Sequence, residues 1–377
     1  MERRRITPRA AWQSELESVG FHFHSLGGIY WDESACYHFS ADEIDTLEAA
    51  TTALHQMSLS AVESIVQRRA FKSFALADWF AEYVASSWHS RAPSLYGRLD
   101  LRYDGKTAPK LLEYNADTPT SLIEAAVAQW NWLQAVYPQS DQFNSIHEKL
   151  IARWAEIRPM LAGIPPVVYF SCVKDNEEDL GNLEYLRDTA MQAGIDARHI
   201  YVEDIGWSEA DQTFLDLDMN PIRALFKLYP WEWIAGDAFG PKVPRAKLAV
   251  IEPAWKVLLS CKAILAVLWE LYPDHPNLLP AYFDAGKLGE RYVRKPLYSR
   301  EGANVEIHGR RGVYAQPGTY GAEGYIYQAY APLPEFNGNY PVIGSWIVGD
   351  LPAGIGIRED VTPITGNTSR FVPHYFD

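Results

Sequence analysis

The chain has 377 residues, 47% hydrophobic and 22% charged, a globular balance with length for one multi-lobed unit or two domains. Its formal net charge of −14 argues against a general affinity for nucleic acid or an anionic membrane. Three cysteines, Cys36, Cys172 and Cys261, form no CxxC pair and no disulfide framework, so a reduced, cytoplasmic setting is expected.

The N-terminal "MERRRITPRAAW" is basic, but the apolar core of a signal peptide does not follow it. Residues 41–90 carry helical spacing (Leu47, Ala50, Leu54 and Met57, then Phe74, Trp79 and Tyr83), with Ser40 and Asp42 placed to cap it. A hairpin is predicted next, "RLDLRY" and "KLLEYN" joined around "DGKTAP". Ser121 and Glu124 form a capping-box pattern that opens the Ala-rich helix "LIEAAVAQWNWLQAV". After "GIPP", the run "VVYFSCV" reads as a buried strand, and an alternating α/β pattern continues over about 160–253. A helical region, about 254–272, follows. Its run "VLLSCKAILAVLWELY" contains Lys262 and is too short and too polar to span a bilayer. The remainder is glycine-punctuated strand, ending in "YPVIGSWIVG" and "GIGIRED" with a tight Gly349-Asp350 turn between them. An α/β start and a β-rich end predict an α+β enzyme with a nucleotide held between sheets.

The hairpin carries an unusual face. Alternation puts Arg98 and Asp100 on one side of the first strand, and Glu113 and Asn115 on one side of the second. If paired positions sum to 213, Asp100 lies opposite Glu113 and Arg98 opposite Asn115. Opposed side chains have Cβ atoms roughly 4.5–5.5 Å apart, where like charges repel, so two facing carboxylates want a cation between them. Asn115 adds a neutral oxygen, and hard oxygen donors of this kind suit Mg²⁺, which takes one or two carboxylates plus phosphate oxygens and waters. The plainer alternative is a surface hairpin with Arg98–Asp100 and Lys110–Glu113 ion pairs. Two features favour a site: the hairpin leads into a helix N-terminus, a natural anion location, and the chain supplies cations elsewhere.

"RYVRKPLYSREGANVEIH" places Lys295 at a strand end, then Ser299-Arg300-Glu301-Gly302-Ala303-Asn304 before another strand. Such a loop can aim backbone N–H groups at phosphate, though these residues alone favour an ordinary hairpin turn. It is neither a Walker loop nor a Rossmann fingerprint. Lys262 could merely snorkel from its helix, and Arg358 could pair with Glu359 or Asp360. His22 and His24 could share a strand face, but packing explains them better than metal. No GxSxG or HExxH occurs, and Cys36 has no paired base.

"EYNADTPTS" after "RLD", "EPAWKVLLSCKAIL", "KPLYSREGAN" and "GIGIRED" together resemble the synthetase domain of glutathionylspermidine synthase and its stand-alone bacterial relatives, the acid–amine ligases, from "PRAAW" to "SRFVPHYF". No counterpart of the bifunctional relative's amidase domain is expected from these motifs. The resemblance implies an ATP-grasp fold over residues 1–377, with a substrate-side α/β domain at 160–253 and an ATP-binding lobe at 254–377. It implies that ATP phosphorylates a carboxylate and that an amine then displaces phosphate. Asp100, Glu113 and Asn115 match the magnesium ligands, and Lys262 and Lys295 the ATP lysines. Glu301, Gln328, Ala329, Ile364 and Thr365 fall near ATP. Arg98, Arg300 and Arg358 match contacts to developing charge, Arg98 also touching the acid. Thr118, Thr120 and Lys227 join the substrate side. Thr118 and Thr120 stand in place of serines and Leu228 in place of a hydroxyl residue, which puts glutathione and spermidine in doubt as substrates. The other reading is an ATP-binding regulatory protein that has kept the fold without ligation.

Overall fold

The predicted hairpin forms. In the computed structural model, which describes residues 1–25, 27–161, 167–310, 312–367 and 369–377, strands Tyr96–Arg102 and Lys110–Asn115 pair antiparallel. Asp100 lies opposite Glu113 and Arg98 opposite Asn115, the register assumed from the sequence. After Asp100 the register slips, setting Leu101 opposite Leu111 and leaving Leu112 out of the ladder.

This hairpin is one edge of a five-stranded antiparallel sheet. The order continues through Tyr340–Val348, Leu351–Asp360 and Arg370–Val372, the middle two joined by the predicted Gly349-Asp350 turn. Both long strands are buried along most of their length, which fits their near-continuous apolar composition. A second five-stranded antiparallel sheet runs in the order Ala281–Tyr282, Tyr325–Ala329, Tyr292–Pro296, Glu306–Gly309 and Gly312–Ala315. The alternating region builds a four-stranded parallel sheet, with Val167–Ser171 between Asp196–His199 and Ala224–Lys227, and Ala249–Ile251 outermost. The "GIPP" break falls within 162–166, outside the described residues. A three-stranded sheet joins Glu2–Arg5 and Ala35–Phe39 to His374–Phe376, near the other end of the chain.

The first long helix, Ala41–Arg68, is capped by Ser40, whose Oγ accepts from the Glu43 N–H while the Glu43 carboxylate accepts from the Ser40 N–H; Asp42, the other candidate, lies in the first turn and is not the cap. It buries Leu47, Leu54 and Ile65 in a core shared with the hairpin residues Leu99, Leu101 and Leu111. A second helix, Asp78–His89, completes the predicted helical stretch. No helix among the described residues is long and apolar enough to cross a membrane.

Three expectations are corrected. Ser121 and Glu124 form no capping box: Ser121 has φ of 68°, its hydroxyl faces Tyr30, and Glu124 opens a π turn, Glu124–Ala128, instead of capping a first turn. The helical region 254–272 is not continuous. It breaks at Cys261, whose backbone is extended, between helices Val257–Ser260 and Ala263–Leu271. His22 and His24 lie on no strand, and His24 packs edge-on against Trp12.

Candidate active site

Four polar side chains share one face of the hairpin, each held by its neighbours. The Arg98 guanidinium donates from Nε to Asp100 Oδ1 at 2.7 Å and from Nη2 to Oδ2 at 3.1 Å. Its Nη1 donates to the Thr120 carbonyl at 2.7 Å, which ties the strand to the segment beyond the hairpin. The arrangement requires Gly344 on the adjacent strand, because a Cβ there would stand 2.8 Å from Arg98 Cδ. Asn115 Nδ2 sits between the two acids, donating to Asp100 Oδ2 at 3.2 Å and to Glu113 Oε1 at 3.1 Å.

The plain ion-paired hairpin is only half present. Arg98 does pair with Asp100, but Lys110 donates to the Leu278 carbonyl, and Glu113 Oε2 lies 3.1 Å from Lys262 Nζ. Burial opposes charge on Glu113, yet Lys262 and Lys295, with the Asn115 amide, together hold its carboxyl below the usual range. Asp100 moves the other way: burial raises it, against Arg98, and the Glu113 charge adds to the rise. Two unequal carboxylates bridged by an amide donor are hard-oxygen ligands whose bridging position a cation can take. Rotating the Asn115 amide turns its oxygen toward that position, so the donor set fits Mg²⁺ completed by phosphate and water. No group of three or more His, Cys, Asp or Glu is gathered for a metal among the described residues. The three cysteines are buried, and burial pushes each thiol up to about 12, which leaves no reactive thiolate.

The lysines are fixed to the same hairpin. Lys262 donates to the Ser299 carbonyl at 2.9 Å, and Lys295 to the Leu112 carbonyl freed by the register slip, at 2.7 Å. Lys295 also donates to Gln328 Oε1 at 2.7 Å, and Gln328 Nε2 reaches the Leu111 carbonyl at 3.0 Å. Burial brings the Lys295 ammonium down to about 8, although Glu113 opposes the fall. Between Lys295 and the next strand the loop takes positive φ at Glu301 (54°), Gly302 (69°) and Asn304 (57°). Gly302 is doubly required: beyond its φ, a Cβ would lie 2.6 Å from Ile364 Cγ2 and 2.7 Å from the Thr365 carbonyl.

Arg300 donates to Thr118 Oγ1 at 2.8 Å and to Glu232 at 3.0 Å, with Trp233 beneath its guanidinium at 5.6 Å. Arg358 pairs with neither Glu359 nor Asp360 but donates to the carbonyls of Gly366 and Asn367 at 2.6 and 3.2 Å. Arg300 Nε, Arg358 Nε, Ser299 Oγ and Thr365 Oγ1 are buried without hydrogen-bond partners among the described residues. Orphaned donors of this kind are rare unless an absent partner satisfies them.

Two cavities meet here. The larger, about 710 Å³, is walled by Arg98, Thr118, Thr120, Arg300 and Arg358, with Glu301 at its edge. The smaller, about 120 Å³, runs past Lys262, Lys295, Gln328, Ala329 and Ile364. Asp100, Glu113, Gly302 and Thr365 line both. Lys227 is the exception among the residues singled out from the sequence. It lies outside the larger cavity, buried and ion-paired with Asp117, which also accepts from the Trp231 N–H at 2.7 Å. Lys227 lines instead a separate cavity of about 100 Å³ with Tyr229 and Trp231.

The chain matches the glutathionylspermidine synthase preATP-grasp family over residues 3–377. It belongs to that family. A protein of Haemophilus influenzae provisionally named an acid–amine ligase is 43% identical over 379 residues, covering 96% of both chains. The trypanothione synthetase of Crithidia fasciculata is 27% identical over 85% of this chain, and the bifunctional glutathionylspermidine synthetase/amidase of Escherichia coli 26% identical over 96%. The chain spans only 53% and 63% of those two longer enzymes. In fold it is similar to a glutathione synthetase-like effector of Globodera pallida, with a TM-score of 0.58 at 10% identity over 99% of this chain and 98% of that one.

In this family member the large cavity also takes residues that no motif pointed to. Tyr30, Glu178 and Trp233 line it, and so does Leu228, the position read as a hydroxyl replaced. Glu232 and Asp117 stand behind it as partners of Arg300 and Lys227. No local spacing links these residues to the hairpin. Only Asp117, which follows the second strand directly, was within reach of a sequence argument.

Proposed function

We propose that this chain is an ATP- and Mg²⁺-dependent ligase that joins a carboxylate to an amine through an acyl phosphate, on an ATP-grasp fold. The observation that carries this reading is the shared wall of the two cavities. A slot walled by Leu112, Val293, Ile307 and Ile364 suits a purine, and it opens past Asp100 and Glu113 into a larger cleft lined by arginines. A triphosphate laid along that wall has Lys262 and Lys295 beside it. Bound at Asp100, Glu113 and Asn115, Mg²⁺ would neutralise phosphate charge.

In this arrangement the protein does little covalent chemistry, as phosphoryl transfer requires. Arg98 and Thr118 orient the acid. The orphaned Nε–H groups of Arg300 and Arg358 donate to phosphoryl and acyl oxygens as negative charge develops on them. The Ser299–Asn304 loop, seated on Ile364 and Thr365, covers the junction and keeps water from an intermediate that hydrolyses wastefully. The relatives' names point to a peptide acid and a polyamine, which this chain's cleft would have to accept with Leu228 in its wall.

The test is an ADP-release screen over glutathione and short peptides crossed with spermidine and other amines, with mass detection of the amide. Release that depends on both an acid and an amine supports the reading. ATP binding with no amide from any pair would remove it.

A further inference from the structure

We infer that Tyr30 and Glu124 form the proton-accepting arm for the attacking amine, a reading that rests on the ligation proposed above. Tyr30 lines the large cavity, and its hydroxyl donates to Glu124 Oε1 at 2.6 Å while lying 3.1 Å from Ser121 Oγ. Glu124 is 0% exposed, and its Oε2 has no hydrogen-bond partner among the described residues. A carboxyl so placed costs stability unless a partner absent from the chain meets its second oxygen. It opens the π turn Glu124–Ala128, a helical irregularity that recurs at functional sites. Four residues before Glu124 the Thr120 carbonyl accepts from Arg98, so the arginine of the acid site and the Tyr30–Glu124 pair are held by one stretch of chain.

The charged and titratable groups facing Glu124 are Tyr30, Glu178 from helix Glu177–Gln192 and Arg358 from strand Leu351–Asp360. Burial, with Glu178 adding, pushes the Glu124 carboxyl up to about 7. An acceptor of that affinity is partly free and partly loaded at neutral pH, the condition for useful proton transfer.

An amine enters as R–NH₃⁺ and must lose protons to attack. One N–H proton passes to the Tyr30 oxygen as the Tyr30 proton moves to Glu124 Oε1. The freed nitrogen lone pair forms the C–N bond, and the acyl C–O bond breaks with its electron pair leaving on phosphate. Of the three ammonium protons, one ends on Glu124, one on phosphate and one stays on the amide nitrogen. Glu124 later returns its proton to water. Tyr30 touches the substrate, whereas Glu124 acts through it.

Two nucleophiles in the same enzyme test the arm. Spermidine is an ammonium at neutral pH and needs an acceptor; hydroxylamine is largely neutral and does not. With glutathione, or another peptide that supports ADP release, Glu124→Gln and Tyr30→Phe are expected to lower the ratio of spermidine to hydroxylamine turnover by about 10². Glu124→Gln is also expected to flatten the spermidine pH–rate profile around neutrality. Equal losses with both nucleophiles, or an unaltered ratio, would overturn the inference. Thermal midpoints report folding, and Tyr30→Phe, which removes a single hydroxyl, carries the test if the buried glutamine variant does not fold. A wild-type enzyme that yields no hydroxamate refutes the acyl phosphate itself, a result distinguishable from failure of the arm alone.

Discussion

Lys262 and Glu113 meet across a break in the chain's most apolar helical segment. Cys261 interrupts the helix, and the residues on either side both turn to the hairpin. Ser260 Oγ accepts from the N–H groups of Ala116 and Asp117 at 3.0 and 2.8 Å, while Lys262 Nζ lies 3.1 Å from Glu113 Oε2. Glu113→Gln therefore strips Lys262 of its counter-charge and the hairpin of one acid. Turnover is expected to fall at least about 10²-fold with the thermal midpoint little changed. ADP release decides it, and near wild-type turnover would take the hairpin out of the chemistry.

Arg300→Ala removes the guanidinium whose Nε lacks a partner, and it leaves Glu232 and Thr118 without their donor. The expected loss is about 10²–10³-fold in kcat, with a smaller effect on nucleotide affinity. Single-turnover ADP formation separates the two. A change in affinity alone would make Arg300 a binding residue.

Gly302→Ala adds a Cβ where Ile364 Cγ2 would stand at 2.6 Å, on a backbone with φ of 69°. The left-handed conformation alone costs about 1–2 kcal/mol for a residue with a side chain. The loop is expected to lift from Ile364 and Thr365, raising KM for ATP while the thermal midpoint without nucleotide barely moves. Titration of ATP into both proteins checks it.

Glu359 is fully buried and holds three partners: Arg3 at 2.7 and 2.8 Å, Arg370 at 3.0 Å and Tyr37 at 2.7 Å. Glu359→Leu leaves the half-buried Arg3 without its ion-pair partner, while Arg370 keeps Asp32 at 3.0 Å, and is expected to cost about 3–5 kcal/mol in urea unfolding. Because Arg3 comes from the N-terminal strand and Glu359 from the hairpin sheet, the loss falls on the junction between them. A cost under about 1 kcal/mol would show that water replaces the carboxylate there.

His374 is buried with Nδ1 2.9 Å from Gln129 Oε1, and burial pushes the ring down to about 3. The folded chain keeps the ring neutral, whereas the unfolded chain takes up a proton below about pH 6.5. This contribution to stability is complete above that value and is lost as pH falls toward about 3. His374→Gln is expected to flatten the decline of unfolding free energy with acidification, measured by urea titration at successive pH values. An unchanged slope would place the acid sensitivity elsewhere.

Much of this was legible without coordinates, for reasons tied to particular residues. The period of two in "RLDLRY" and "KLLEYN" decided which side chains share a face, whereas the register was an assumption that the strand pairing then matched at Asp100–Glu113 and Arg98–Asn115. Ser40 caps its helix as read, because the bonds involved span only three residues, although its partner is Glu43 and not Asp42. The same pattern at Ser121 and Glu124 misled, since a buried Tyr30 hydroxyl competed for both side chains and won. Lys227, which the resemblance put on the substrate side, has Asp117 as its ion-pair partner, a pairing no local pattern announces.

What the sequence determined by itself was local: alternation, caps, the glycine of the loop, and the chemical kind of each side chain, all set by backbone geometry within a few residues. What only the tertiary structure decided was partnership over distance. It chose Lys262 rather than Lys110 for Glu113, Tyr30 for Glu124, and a common wall for two cavities. Those pairings follow from packing the hairpin against helices and sheets remote in the chain, where burial makes an unmatched charge costly and so selects the partner.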